Sequence, residues 1–287
     1  MNISLWGDPI KLTTQEFNRI SQFMKANFGI NLTDKKRTLI ETRLQKTMNQ
    51  RSFLNYNAYF DCIVNDKSGK EATTLLNLLT TNHTYFLREV EHFEFLKKVL
   101  LPQLFEAYKY EKDLRIWSAG CSSGQEPYTI AMIVSEYIDQ GNHHFSNWNR
   151  QMLATDISEK ALHKAITGIY SKEEVKDVPY DWLQKYFTRS GNAYAISRAI
   201  KEEITFRKFN LMNATYPFKK KFHVIFCRNV MIYFDAETKN KIINHFYHHL
   251  EPGGYLLIGH SEFVDRNVVP FDYIKPAVYR KPGGSHD

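Results

Sequence analysis

The chain has 287 residues, 43% of them hydrophobic and 24% charged, with a formal net charge of +7. That length suits one large domain, or a catalytic domain with a small companion, and no apolar run reaches the roughly 18–20 residues that a bilayer span requires. Residues 1–8 lack a basic stretch followed by an apolar one, so no signal peptide is expected; Cys62, Cys121 and Cys227 are odd in number and far apart, which excludes a Cys-x-x-Cys pair and fits a reduced, cytoplasmic setting. The positive charge asks for an acidic partner without choosing among nucleic acid, a membrane surface and an acidic protein.

From about Thr13 to Thr81 the pattern predicts short helices. Phe17, Ile20, Met24 and Phe28 recur at helical spacing, and Gly29 marks the helix end. Thr33 and Asp34 are expected to cap a second helix whose apolar side is Leu39, Ile40 and Leu44. Leu75, Leu76, Leu78 and Leu79 predict a buried helix before the turn at Thr80-Thr81-Asn82.

The pattern changes at Asp113. Leu114 to Trp117 reads as a strand, followed by a glycine-containing loop and a helix from Tyr128 to Ile138. Gln151 to Asp156 is a second strand with a helix after it, Ser158 to Ile166; His223 to Cys227 is a third. A helix from Thr238 to Leu250 leads into a fourth strand, Tyr255 to Gly259, and a tail at Phe271–Arg280 is suited to an antiparallel hairpin. Alternation of this kind predicts an α/β fold: a doubly wound, mostly parallel sheet. Residues from about 169 to 207 break the alternation and read as an inserted small antiparallel β subdomain.

Four stretches carry candidate chemistry. Small residues after the first strand, Ser118 to Gly124, permit a sharp turn and a close approach to a ligand. The loop is neither a dinucleotide fingerprint nor a phosphate loop, and tight strand-to-helix turns use the same residues. Asp156 at the end of the second strand is placed to accept both ribose hydroxyls of a nucleoside, or to cap the next helix. Arg228 and Asn229 follow an apolar strand at its carboxyl end, with Tyr233 four residues beyond, as a ligand crevice or as a plain surface loop. The run Thr80 to Glu89 is dense in polar side chains for a linker.

Taken together these runs resemble the chemotaxis receptor methyltransferases, the CheR family. Thr80-Thr81-Asn82-His83-Thr84-Tyr85-Phe86-Leu87-Arg88-Glu89 is similar to the family's T-T-N-x-T-x-F-F-R-E, and Ser122-Ser123-Gly124-Gln125-Glu126-Pro127-Tyr128 to its S-T-G-E-E-P-Y. Cys227-Arg228-Asn229-Val230-Met231-Ile232-Tyr233-Phe234 is similar to C-R-N-V-x-I-Y-F, and Phe209-Asn210-Leu211 and Gly259-His260-Ser261-Glu262 also fit. The likeness runs from about Thr13 to Arg280, with Gln125 in place of an acidic residue and Leu87 in place of an aromatic one.

The resemblance implies an S-adenosylmethionine methyltransferase of the class I type that esterifies glutamate side chains of bacterial chemoreceptors. It implies a helical N-terminal domain over residues 1–80, a linker with its helix over 81–112, and a methyltransferase domain over 113–287 bearing the inserted lobe. It assigns Asn82, Thr84 and Arg88 to the cofactor pocket, Glu126 to the amino group of the methionine moiety, and Asp156 to the ribose. Asn210 and Leu211 go to the adenine, Arg228 and Asn229 to the methionine end, and Arg88 and Tyr233 to the reacting centre. No metal is expected. The partner implied is the helical cytoplasmic region of chemoreceptors, met by a cytoplasmic monomer recruited to receptor arrays, with no nucleic acid and no membrane insertion. The short spacing between Tyr186-Phe187 and Phe209-Asn210-Leu211 argues against gripping a receptor's C-terminal tether peptide. Lys36, Arg43 and Lys46, within an arc of about 80° on a continuous helix, form a candidate docking face for an acidic receptor helix. The alternatives are a carboxyl methyltransferase of another protein or small acid, and a non-catalytic adaptor that only binds S-adenosylmethionine.

Overall fold

The computed structural model describes residues 10–81, 83–140 and 147–283. The chain forms two compact units: residues up to 82 together with Tyr233–Thr238, and His83–Ile232 together with the remainder from Lys239. Among the described residues no helix is long and apolar enough to cross a membrane.

Among the described residues, four α-helices lie wholly in the smaller unit. In α1 (Thr14–Phe28) Thr13 and Glu16 form a reciprocal capping box, and Gly29 ends the helix at φ 70°. Next comes a 3-10 turn, Asp34–Lys36, whose Thr33 makes no side-chain cap, contrary to the capping expected there. Helix α2 (Arg37–Gln50) buries Ile40, Leu44 and Met48, a strict four-residue spacing. Leu39, expected on that apolar side, is exposed. Helices α3 (Tyr56–Asn65) and α4 (Lys70–Leu79) complete the set; Leu75, Leu76 and Leu79 of α4 are buried. The segment Tyr233–Thr238 joins this unit through an antiparallel bridge between Ile30 and Phe234 and an ion pair between Lys25 and Asp235 at 2.8 Å.

The larger unit opens with α5 (Val90–Phe95), a π turn (Leu96–Leu100) and α6 (Leu101–Ala107). There follow β1 (Ile116–Ala119), α7 (Gln125–Gln140), β2 (Met152–Asp156), α8 (Glu159–Thr167), β3 (Ile169–Ser171), α9 (Tyr180–Tyr186), β4 (Phe187–Ser190), β5 (Ala193–Ile196), α10 (Arg198–Glu202) and β6 (Ile204–Lys208). Next are β7 (Phe222–Cys227), α11 (Ala236–His249), β8 (Leu250–Ile258), β9 (Asp272–Lys275) and β10 (Val278–Arg280).

Seven strands make one sheet in the order β6-β2-β1-β7-β8-β10-β9. The first five are parallel, and the β9–β10 hairpin closes one edge antiparallel, as the sequence predicts. Strands β1 and β7 are buried at every position, the signature of a parallel sheet covered on both faces. The strand order reverses between β1 and β7, and a doubly wound sheet opens a ligand crevice at such a point.

The insertion is smaller than its expected span of 169–207. The antiparallel sheet β3-β5-β4 ends at Ile196, whereas Ile204–Lys208 pairs in parallel with β2 and forms the edge of the main sheet. Ser190 pairs with Ala193, which leaves a two-residue turn with Gly191 at φ 60°.

Candidate active site

Three loops leave the carboxyl ends of β1, β2 and β7. The first is stitched to the second strand: the amides of Gly120 and Cys121 both donate to the Thr155 carbonyl, at 2.8 and 2.9 Å. Gly120 sits at φ 82°, and a Cβ there would fall 2.4 Å from Val230 Cγ2. Only glycine therefore lets the β1 loop pass this close to the loop after β7.

Asp156 anchors the loop further. Its Oδ2 accepts the Ser122 amide and its Oδ1 the Ser158 amide, both at 2.8 Å. Burial pushes its carboxyl above the ordinary range, against the backbone N–H groups that favour its charge. The cap of α8 is Ser158, which accepts the Ala161 amide; the capping role considered for Asp156 thus passes two residues on. A carboxylate has about four acceptor sites, so Asp156 keeps capacity for further donors. The Phe209 amide donates to the Asp156 carbonyl at 3.0 Å and brings the Phe209-Asn210-Leu211 turn beside it. Leu211 is buried there, and Asn210 Oδ1 accepts the Met212 amide.

At the β7 end Arg228 is 6% exposed. Its Nη1 donates to Glu126 Oε2 at 3.1 Å, its Nη2 donates to Glu89 Oε2 at 3.1 Å, and Nη2 also meets the Arg88 carbonyl. Glu126 lies in the first turn of α7, with Oε1 accepting the Ser118 hydroxyl at 2.7 Å. Burial pushes its carboxyl up, while Arg228 and Ser118 hold it down. Glu89 also feels burial, but Asn229 and Arg228 outweigh it and keep its carboxyl below the usual range. Asn229 Nδ2 donates to Glu89 Oε1 at 3.1 Å. Its amide donates to Glu262 Oε2, which also takes the Gly259 amide, while Glu262 Oε1 takes that of Ile232.

Glu89, Ser122 and Asn229 all have left-handed backbones, at φ 56°, 48° and 59°. Each such residue stores on the order of 1–3 kcal/mol, a concentration that marks functional sites. Glu89 and Glu262 were not singled out from the sequence. Their signal was their place at the ends of the runs Arg88-Glu89 and Ser261-Glu262.

Other expected residues are placed differently. Arg88 is half-buried, and its Nη1 donates to the His83 carbonyl at 2.8 Å. Thr84 is half-buried on the same segment, and Asn82 lies outside the described residues. Tyr233 belongs to the smaller unit, where its hydroxyl accepts the Thr81 amide and donates to the Thr81 carbonyl. Of the docking trio, Lys46 is exposed. Arg43 donates to the Leu78 carbonyl and the Thr81 hydroxyl, and Lys36 lies in the 3-10 turn and reaches the Asn31 carbonyl. Lys36 precedes the helix that carries Arg43 and Lys46, so the three do not lie on one continuous helix.

Comparison with known proteins matches residues 15–80 to "CheR methyltransferase, all-alpha domain" and residues 82–279 to "CheR methyltransferase, SAM binding domain". A chemotaxis protein methyltransferase of Borreliella burgdorferi is 42% identical over 275 residues, covering 95% of this chain and 96% of that protein. The chain belongs to the CheR methyltransferase family. A probable chemotaxis protein methyltransferase of Rhizobium etli is 36% identical over 89% of this chain and 95% of its own length. The Escherichia coli chemotaxis protein methyltransferase is 34% identical over 88% and 86%.

The cofactor of this family is S-adenosylmethionine, and the residues present fit it. Two half-buried carboxylates, Glu89 and Glu126, share a single buried guanidinium, so the cradle carries an excess of negative charge in a poorly solvated place. A cationic ligand relieves that imbalance, and the methionyl end of S-adenosylmethionine is cationic at both sulfur and nitrogen. The thiols of Cys121 and Cys227 flank the cradle, but burial pushes both well above their ordinary range, which leaves them unreactive.

Proposed function

We propose that this enzyme methylates glutamate side-chain carboxylates in the helical cytoplasmic region of chemoreceptors. The observation that carries the cofactor half is the carboxylate excess around Arg228, set at the switch point of the sheet. When bound, S-adenosylmethionine supplies an electrophilic methyl group. Glu126 receives its amino group, Asp156 its ribose hydroxyls, and Asn210 and Leu211 the adenine. Arg228 and Asn229, with Glu89 and Glu262 behind them, fix the shape of the methionine end.

The acceptor is a carboxylate with an ordinary pKa near 4.3, already ionised at neutral pH, so no side chain need remove a proton. What remains is alignment and exclusion of water. Arg88 is the half-buried guanidinium on the 83–89 segment, and a forked hydrogen bond from it positions the acceptor oxygen. The Tyr233 hydroxyl holds the backbone of Thr81.

The receptor is met without a tether peptide. The β4 edge is four residues long and closed by a two-residue turn. Alternate residues of an edge strand face outward, so it offers about two residues' worth of main-chain bonds to an added strand. Encounter is steered by Lys46 on α2.

The test is transfer of labelled methyl to purified receptor cytoplasmic domain, with alkali-labile methanol release as the mark of an ester. Arg88→Ala should lose most transfer while its melting temperature is kept. An alkali-stable product, or full turnover by Arg88→Ala, overturns the reading.

A further inference from the structure

His92, in the first turn of α5, is fully buried, and neither of its ring nitrogens has a hydrogen-bond partner among the described residues. A buried imidazole left in this state forfeits on the order of 1–3 kcal/mol for each unsatisfied polar group. The cost is offset only if something fills the gap. Its Nδ1 lies 3.5 Å from Glu89 Oε2. The ring of His260, just past the end of β8, meets it edge-on with centroids 4.9 Å apart. One donor atom from each of Glu89, His92 and His260 lies within 4.8 Å of the other two.

From this geometry we infer a binding site for a divalent transition metal of the zinc class, held by Glu89, His92 and His260. Two imidazoles and one carboxylate suit zinc, cobalt, nickel or copper, and do not suit magnesium or calcium, which take all-oxygen shells. In a tetrahedral site with bonds of about 2.0–2.1 Å, neighbouring donors stand about 3.3 Å apart. The separation of Glu89 and His92 is already close to that value. His260 is exposed, so its ring is free to swing inward and supply the third ligand. Three protein ligands leave the fourth position to water or another small donor.

The surrounding charge permits an added cation. Arg228 and Lys275 both face His92 and oppose one. Against them stands Glu89, which also neutralises Arg228. Arg228 also has Glu126 as a second partner and is not stranded if the ion draws on Glu89 Oε2. The ion would tie the start of α5 to the loop after β8, and because Glu89 also pairs with Arg228 its binding would be felt at the methionine end.

The experiment is titration of the chelator-treated full chain with Co²⁺ and with Zn²⁺, alongside His260→Ala, an exposed position whose change leaves the core intact. Cobalt should develop visible ligand-field bands at one ion per chain, and zinc should displace it. Loss of groups that merely orient a ligand already costs about 10–100-fold in metal affinity. Loss of His260 itself should therefore weaken binding by at least about tenfold and abolish any zinc-dependent rise in melting temperature. An absence of bands in the wild type, or equal affinity in His260→Ala, overturns the assignment. Methyl transfer is not the readout, so failure here leaves the proposed activity standing.

Discussion

Replacing Glu126 with glutamine separates the charge of the cradle from its shape. Glu126 makes two polar contacts, accepting from Ser118 at 2.7 Å and from Arg228 at 3.1 Å. A glutamine can turn its carbonyl to Arg228 and its amide to Ser118, whose hydroxyl accepts as readily as it donates. Arg228 keeps Glu89, so no buried charge is stranded. Burial already opposes the ionised form of Glu126, and stability should therefore hold or rise slightly. Binding should behave oppositely. The lost contact is a hydrogen bond between charged groups, worth about 1.5–3 kcal/mol, or roughly 10- to 150-fold in affinity. The donor and its demethylated product share the amino group, so both should weaken together. Calorimetry with S-adenosylhomocysteine beside thermal unfolding reads the two effects. A pH series adds a sign test: wild-type affinity should fall as pH drops through the raised pKa of Glu126, because the ligand needs the carboxylate. The variant should lack that limb. Affinity within about twofold of wild type, or a binding loss matched by a loss of stability, would refute the reasoning.

Three further outcomes follow from particular contacts. Asp156→Ala should weaken cofactor binding by about 1.5–3 kcal/mol and also release the Ser122 and Ser158 amides, so calorimetry and thermal unfolding should both respond. His223 is buried, accepts the Arg115 amide, and is depressed by burial from 6.5 to about 3; stability is full above pH 6.5 and is lost as pH falls toward 3. Between pH 7 and 5.5 that loss is about 1.2 kcal/mol, and urea unfolding of His223→Gln should show a flatter slope across that window. Lys46→Glu should slow receptor methylation several-fold at low ionic strength and much less at high salt, with cofactor affinity unchanged. A salt-independent rate would remove Lys46 from the encounter.

Strands β1, β2, β7 and β8 were legible because apolar runs bounded by turn residues have few other readings. Strand β6 was not. Its sequence, Ile204-Thr205-Phe206-Arg207-Lys208, alternates at a sheet edge and follows directly on the inserted lobe, so local pattern assigned it to the wrong sheet. Leu39 is exposed because the buried stripe of α2 runs through Ile40, Leu44 and Met48, and Leu39 stands about 100° round the helix from Ile40. At the site, short runs pointed to Asp156, Glu126 and Arg228. That Glu89 and Arg228 form a pair across 139 residues is a tertiary fact that no local spacing encodes. The same holds for Tyr233, whose hydroxyl closes on Thr81.

The smaller unit borrows Tyr233–Thr238 from far along the chain. On a ribosome adding about 5–20 residues each second, those residues emerge roughly 8–30 s after residue 82. For that interval Ile30 and Lys25 wait without their partners. Helices α1 to α4 can form early from local contacts, but their final closure is deferred until most of the parallel sheet has also been synthesised. No N-terminal fragment that stops short of residue 238 contains all of the parts of the helical unit.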